Sequence, residues 1–147
     1  MTYSIEKITT LLGARRYGTK ESNIAFLLTD SRSLSFPEET LFFALRSERN
    51  DGHNYIDDLY RRGVRNFVVE TTDGISDYSD ANFLVVPSTL AALQRLAERH
   101  RDEFDIPVIG ITGSNGKTVV KEWLYQLLMP SMHVTRSPRS YNSQIGV

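Results

Sequence analysis

The chain of 147 residues contains no cysteine and has no surplus of charge of either sign. Without cysteine, disulfide bonds and thiolate metal sites are excluded. The 17 Lys and Arg residues nearly balance the 18 Asp and Glu residues, which leaves a net charge of −1. This balance argues against a general nucleic-acid binder, whose affinity depends on excess basic side chains facing phosphates. The local basic pairs Arg15-Arg16 and Arg61-Arg62 fit a solvated surface better than a phosphate patch.

Long apolar runs are also missing from the sequence. No stretch approaches the roughly 18 apolar residues that indicate a membrane-spanning helix. The N-terminus lacks a charged segment followed by an apolar one, so we expect neither export nor a membrane span, and a cytoplasmic protein. The length suits one ordinary domain, or one small domain plus part of another, and it allows a buried core.

The N-terminal part of the chain alternates between helical and strand-like patterns. Ser4 is suited to begin a helix and Gly13 to end it. The predicted elements are a helix at 3–12, strands at 24–28 and 41–45, a helix at 55–62, strands at 67–69 and 83–86, and a helix that begins at Ser88. The buried face of that last helix is predicted to contain Leu90, Leu93, Leu96 and Ala97. This order of elements predicts a small α/β domain with a mixed sheet.

A charged stretch at 100–103 is expected to connect this domain to a second unit. The second unit is predicted to contain a strand at 106–111, a glycine loop, a helix that ends near Met129 before Pro130, and a short strand at 132–135. Trp123 and Leu127 share one face of that helix, where core packing is the expected role. The predicted domains are therefore 1–104 and 105–147. Two strands and one helix do not cover both faces of a parallel sheet, so we expect a piece of a longer enzyme.

The loop between the predicted strand and helix of the second unit reads Thr-Gly-Ser-Asn-Gly-Lys-Thr, residues 112–118. Gly113 and Gly116 allow positive φ angles, so main-chain N–H groups can converge on a phosphate chain. The helix that begins near Lys117 directs its N-terminal dipole at the same point, and the lysine adds a full positive charge. The Thr118 hydroxyl is suited to bind Mg²⁺. The structural alternative is a plain strand–turn–helix connection that contains Asn-Gly.

The general Walker pattern G-x-x-x-x-G-K-[ST] would require glycine at position 111, where this chain has Ile111. The spacing in 112–118 instead resembles the ATP loop of the Mur ligases, the amide-forming ligases of peptidoglycan precursor synthesis. That resemblance implies that Lys117 is catalytic and that Thr118 binds Mg²⁺. It also implies ATP contacts at Gly113, Ser114, Asn115, Gly116, Lys117 and Thr118.

A second resemblance to the Mur ligases lies upstream. The segments Thr-Asp-Ser-Arg at 29–32, Leu-Phe-Phe-Ala-Leu at 41–45 and Asp-Gly-His at 51–53 occur in the order seen in the N-terminal domains of the family, which hold the UDP part of the substrate. The resemblance implies that Ser31 and Arg32 contact uridine or diphosphate and that His53 forms a polar wall of the same pocket. An arginine fork matches phosphate oxygens. Without the resemblance, a turn, a surface arginine and a loop histidine would be the better interpretation.

The resemblance also extends to the C-terminal segment and to the domain order. Asn142 resembles the asparagine that the family places beside its phosphates, although a simple turn asparagine fits as well. The implied fold is a UDP-substrate-binding α/β domain at 1–104, followed at 105–147 by the start of a P-loop ATPase-type central domain.

Within the family, the resemblance is greatest to the enzymes that use ATP and Mg²⁺ to join D-alanyl-D-alanine to UDP-N-acetylmuramoyl-tripeptide through an acyl phosphate. It implies a ligase with small-molecule substrates and no nucleic-acid partner, and an inactive piece when these residues stand alone. The alternatives are another Mur-type or folylpolyglutamate-type ligase, a non-catalytic ATP-sensing module, and a small P-loop kinase. The segments at 29–32 and 51–53 argue against the folate enzyme, and Ile111 argues against the kinase. The sequence leaves the oligomeric state and the third residue of the peptide stem open.

Overall fold

The computed structural model describes residues 2–48 and 50–137. The chain divides into two compact units, Met1–Phe104 and Asp105–Val147. Among the described residues, none of the helices has both the length and the apolar character needed to cross a membrane.

Short strands and three helices make up the described part of the first unit. The strands are β1 (Tyr3–Ser4), β2 (Arg15–Tyr17), β3 (Asn23–Ile24), β4 (Phe26–Leu28), β5 (Thr40–Phe43), β6 (Arg46–Ser47), β7 (Asn50–Asp51), β8 (Asn66–Val69) and β9 (Asn82–Val85). The helices are α1 (Ile5–Leu12), α2 (Ile56–Arg61) and α3 (Thr89–Asp102). The predicted α/β character is confirmed, and the predicted helices and strands occur in the predicted order. Strands β1, β2, β6 and β7 were not predicted.

A five-stranded sheet in the order β2-β9-β8-β5-β4 forms the centre of the unit. Strands β4, β5, β8 and β9 run parallel to one another, and β2 pairs antiparallel with β9. The sheet is therefore mixed, as predicted. Because the four parallel strands point the same way, their carboxyl ends lie along one edge, and the loops that follow them meet there.

Alternate residues of the parallel strands supply two separate cores. On β5, Leu41 and Phe43 pack with α1 and α3 on one face of the sheet, whereas Phe42 packs with α2 on the other face. All four residues of β5 are buried, and so are all four of β8. Burial on both faces explains why these strands read as continuous apolar runs in the sequence.

The boundaries of α1 follow the predicted capping residues. The Ser4 hydroxyl accepts a hydrogen bond from the Lys7 main-chain N–H at 3.1 Å, which satisfies one donor of the first turn. Gly13 ends the helix with φ of 61°, a left-handed conformation that glycine adopts without steric cost.

Helix α3 continues to Asp102, so the predicted connection at 100–103 is wrong. Its last turn is held by the N-terminal segment, because the Tyr3 hydroxyl lies 2.8 Å from His100 Nδ1 and donates to Glu103 Oε2 at 2.6 Å. The predicted buried face of α3 is also partly wrong. Ala97 is exposed and Ala92 is buried in its place, since the buried stripe of the helix passes through Thr89, Ala92 and Leu96.

The second unit contains helix α4 (Lys117–Leu128), but no strand among its described residues. The predicted strands at 106–111 and 132–135 are therefore wrong. A strand needs a hydrogen-bonded neighbouring strand, and neither segment belongs to a sheet within the described residues. Both segments instead line an apolar cavity of about 700 Å³ together with one face of α4. Trp123 and Leu127 are 64% and 73% exposed, so their predicted core role is wrong for the described residues.

Candidate functional site

Three of the predicted substrate residues follow neighbouring parallel strands at the carboxyl edge of the sheet. Ser31 and Arg32 follow β4, and His53 lies in the segment after β5, the strand that pairs with β4. Ligands of open α/β sheets bind at this edge. The fold thus brings Ser31, Arg32 and His53 to the same edge, although the two segments are separated in the sequence.

The Ser31–Ser33 segment forms a 3₁₀ turn that Asp30 caps. The Asp30 carboxylate accepts from the Arg32 main-chain N–H at 3.0 Å and from the Arg32 guanidinium Nε and Nη2 at 2.9 and 2.7 Å. These hydrogen bonds lower the pKa of the Asp30 carboxyl to about 2. They also raise the pKa of Arg32. The Arg32 side chain is 87% exposed, so its guanidinium is accessible to an anionic ligand that would share it with Asp30.

Both ring nitrogens of His53 form hydrogen bonds within the protein. Nδ1 lies 2.6 Å from Asp51 Oδ1, and Nε2 accepts from the Glu70 main-chain N–H at 3.1 Å. A main-chain N–H can only donate, so Nε2 carries no proton and Nδ1 donates to Asp51. The side chain is 13% exposed. The structure therefore places His53 at the predicted edge as a link between two loops, and a contact to substrate stays a prediction.

The Asp51 carboxylate is the centre of this link. Burial raises the pKa of the Asp51 carboxyl, but hydrogen bonds from the main-chain N–H and the ring of His53 outweigh burial, so the pKa is lowered overall. Arg46 Nε donates to Asp51 Oδ2 at 3.0 Å. Arg46 Nη1 also lies 3.8 Å from Glu70 Oε2. The Arg46 guanidinium therefore lies between the carboxylates of Asp51 and Glu70 and pairs with both.

Glu70 and Thr89 complete the polar edge, and the sequence analysis did not identify them. Glu70 Oε1 accepts from the main-chain N–H and the hydroxyl of Thr89 at 2.7 and 2.9 Å, which ties the end of β8 to the start of α3. Their positions in the sequence could have identified them, because Glu70 directly follows a fully buried strand and Thr89 follows the N-cap Ser88.

In the second unit, the glycine loop has the conformation that its sequence predicts. Gly113 has φ of 148° and Gly116 has φ of 77°, values that other residues rarely adopt. Ser114, Asn115 and Thr118 are exposed. Gly116 is the N-cap of α4. Because glycine has no side chain, the N-cap residue does not bond to the first N–H groups of the helix. This arrangement fits a bound phosphate chain.

Lys117 lies at the first position of α4 and reaches back over the loop. Its Nζ donates to the Gly113 main-chain O at 2.5 Å. The ammonium therefore lies against the main chain of its own loop. Asn142, predicted to lie beside the phosphates, is outside the described residues.

The sheet of the first unit is largely parallel and has a polar carboxyl edge. The second unit has a glycine loop that opens a helix with a lysine. Both features are typical of α/β proteins that bind nucleotides. The sequence profile of the Mur ligase family, described as its catalytic domain, matches residues 23–101, which is more than half of the chain. The chain belongs to the Mur ligase family.

Individual relatives agree with this family. The UDP-N-acetylmuramoyl-tripeptide--D-alanyl-D-alanine ligase of Synechocystis sp. is 38% identical over 130 residues, which is 88% of this chain and 28% of that protein. Crystal structure I of MurF from Acinetobacter baumannii superimposes with a TM-score of 0.88 at 26% identity, over 99% of this chain and 32% of that one. MurF ligase from Thermotoga maritima, solved in complex with ADP, gives a TM-score of 0.70 at 30% identity, over 92% of this chain and 28% of that one. The chain thus spans about a third or less of the relatives it matches.

Proposed function

We propose that the longer protein to which this chain corresponds is an ATP-dependent amide ligase that joins D-alanyl-D-alanine to UDP-N-acetylmuramoyl-tripeptide. The observation that carries the proposal is the position of Lys117, at the N-terminus of α4 and 2.5 Å from the carbonyl of its own glycine loop. The similarity to D-alanyl-D-alanine-adding ligases over 88% of the chain supports this choice of substrates. Because the reaction consumes ATP and a UDP-linked precursor, we place it in the cytoplasm.

The first unit, in this proposal, holds the UDP part of the substrate. Ser31 and Arg32 would contact uridine or diphosphate at the carboxyl edge of the sheet, and the 87% exposure of Arg32 leaves its fork accessible to phosphate oxygens. His53 would support the wall of the same site through its link from Asp51 to Glu70.

The second unit would hold the phosphates of ATP. The main-chain N–H groups of residues 113–118 would surround the phosphate chain, and Asn142 would lie beside it. Thr118 is the residue that would hold Mg²⁺, which in such sites neutralises charge between nucleotide phosphate oxygens. The positive φ angles of Gly113 and Gly116 and the N-terminus of α4 support this assignment.

In the proposed reaction, the terminal carboxylate of the tripeptide takes the γ-phosphoryl group of ATP, which yields an acyl phosphate and ADP. The amine of D-alanyl-D-alanine then attacks the acyl carbon, an amide bond forms, and inorganic phosphate leaves. The contribution of this chain is electrostatic, because Lys117 stabilises negative charge that develops on the transferred phosphoryl oxygens. By themselves the 147 residues are expected to bind substrate without ligating it, because they span only 28% of a complete relative.

Calorimetric titration of the 147-residue chain tests the proposal. UDP-N-acetylmuramoyl-tripeptide is expected to bind, and UDP alone is expected to bind more weakly at the same site. An ATP-sensing module would respond to ATP and leave both UDP compounds unbound. That result would contradict the proposal, whereas measurable ligation by these residues alone would contradict only the expectation that they are inactive.

A further inference from the structure

The Ser31–Ser33 turn is held in part by a residue that is distant in the sequence. No side chain within the turn is buried, so packing does not set its conformation. The hydrogen bonds within the turn are local. Asp30 provides both the carboxylate that caps the turn and the carbonyl that accepts from the Ser33 N–H at 3.0 Å. Leu34, which ends the turn, packs against the core, whereas these local bonds do not hold the Ser31 carbonyl.

Arg62, the residue that caps the C-terminus of α2, supplies the long-range contact. Arg62 Nη1 donates to the Ser31 main-chain O at 2.9 Å, between residues 31 positions apart in the sequence. The same nitrogen lies 3.3 Å from Asp58 Oδ2, one helical turn earlier, which orients the side chain. Arg62 is 40% exposed, so it reaches the turn along the protein surface.

Arg62 is itself attached to a rigid element. Its main-chain N–H donates to the Asp58 carbonyl at 3.0 Å and closes the last turn of α2. Leu59 and Val64, on either side of it in the sequence, have no exposed surface and belong to the core on that face of the sheet. A guanidinium held by a packed helix therefore holds the start of a turn whose own three side chains are not buried.

We propose that Arg62 is a positioning residue of the substrate site. By holding the Ser31 carbonyl, it sets the direction in which the next residue, Arg32, presents its guanidinium to the diphosphate. The inference rests on the proposed function for the identity of the ligand, but the contact from Arg62 to Ser31 is independent of that function.

The neighbouring arginine provides a matched control. Arg61 lies in the same last turn of α2 and carries the same charge, yet its Nη2 pairs with Asp57 Oδ2 at 2.7 Å and its side chain is 76% exposed. The sequence assigns both members of the Arg61-Arg62 pair to solvated surface. The structure separates them, because only Arg62 of the two contacts the turn within the described residues.

The test compares Arg62→Ala, Arg62→Lys and Arg61→Ala in the 147-residue chain. Hydrogen exchange monitored by NMR reports the protection of the amides of residues 31–33, and calorimetry reports the affinity for UDP-N-acetylmuramoyl-tripeptide. We expect Arg62→Ala to speed exchange at the turn and to weaken binding, each about tenfold, as befits loss of a hydrogen bond from a charged group. Arg61→Ala is expected to stay within about twofold of the parent, and Arg62→Lys to recover most of the affinity because an ammonium still donates to the carbonyl.

Each outcome decides the inference. Equal exchange at the turn in Arg62→Ala and Arg61→Ala would overturn it, even if affinity fell, because the arginine would then act by charge alone. If the parent chain binds no UDP compound, the proposed function fails, and the exchange comparison still decides whether Arg62 positions the turn. Should Arg62→Ala fail to fold, Arg62→Lys must show unperturbed exchange at 31–33 while Arg62→Met, which has no donor, shows faster exchange; identical exchange in those two variants would contradict the role.

Discussion

The His53 ring donates from Nδ1 to Asp51 Oδ1 across 2.6 Å, two residues back in the chain, while its other nitrogen accepts from the main chain of Glu70. The pair therefore connects the loop after β5 to the end of β8. A histidine that is hydrogen-bonded in this way stabilises the carboxyl edge of the sheet.

Replacing His53 with alanine should destabilise the first unit. The Glu70 N–H and the Asp51 carboxylate would each lose a partner, and the expected loss is about 1–3 kcal/mol in the free energy of unfolding. Urea denaturation of the chain measures the loss. Asn54→Ala, an exposed neighbour, is the control and should change stability little. Equal stability of the two variants would show that the ring makes no net contribution.

The ion pair between Asp30 and Arg32 predicts a specific titration. Hydrogen bonds from Arg32 lower the pKa of Asp30 to about 2, so the carboxyl resonance of Asp30 should titrate with a midpoint near that value in an NMR experiment. Because the folded-state pKa lies below the unfolded-state value, the stabilisation by this pair is complete above the ordinary value of 3.8 and is lost as the pH falls toward about 2.

Arg32→Gln should move the Asp30 midpoint upward, toward its ordinary value, since the glutamine carries no charge to favour the carboxylate. Arg61→Gln, which removes the same charge from α2, should leave the midpoint where it is. A midpoint near 3.8 in the parent chain would contradict the observed pairing.

Gly52→Ala should distort the loop that carries Asp51 and His53. A Cβ at this position would lie 2.7 Å from the main-chain carbon of Ala44 and from the main-chain nitrogen of Leu45, and main-chain atoms cannot rotate away. The expected cost is about 1–3 kcal/mol of stability, as for other overpacked sites. Thermal unfolding monitored by circular dichroism measures it. Gly110→Ala is the control, because, apart from its chain neighbours, no atom of the described residues lies within 4 Å of its added Cβ.

Lys117→Ala tests the proposed chemistry in the longer ligase. Loss of a charge that stabilises the transferred phosphoryl group should lower kcat about a hundredfold, or roughly 3 kcal/mol in the barrier. A coupled assay for ADP release measures the rate. Lys20→Ala removes a lysine of the first unit as the control and should leave kcat near that of the parent. Unchanged turnover in the Lys117 variant would refute the assigned role.

Local sequence signals were sufficient where a residue acts on its own chain neighbours. Ser4 and Gly13 define α1 because a cap hydroxyl and a left-handed glycine act within one helical turn. The apolar runs at 41–45 and 67–69 predict strands, and β5 and β8 form there. The glycines of the loop at 112–118 likewise adopt the positive φ angles that their spacing indicates.

The same reasoning failed where the outcome depends on a distant partner. Residues 106–111 have a strand composition, yet within the described residues they have no neighbouring strand to pair with. The charged residues at 100–103 favour a connection by composition, and the sequence gives no sign that Tyr3 would hold the last turn of α3.

The amino-acid sequence by itself determined the α/β class, the glycine loop with Lys117, and the polar residues that follow β4 and β5, because each of these depends on residue type and spacing within a short segment. Tertiary structure alone decided that Arg62 reaches Ser31, that Glu70 closes onto Thr89, and that His53 uses both nitrogens within the protein. These contacts join segments separated by up to 31 residues. His53, Glu70 and Thr89 become neighbours because parallel strands bring their carboxyl ends to one edge, and Arg62 reaches Ser31 from the end of α2, which packs on the same sheet.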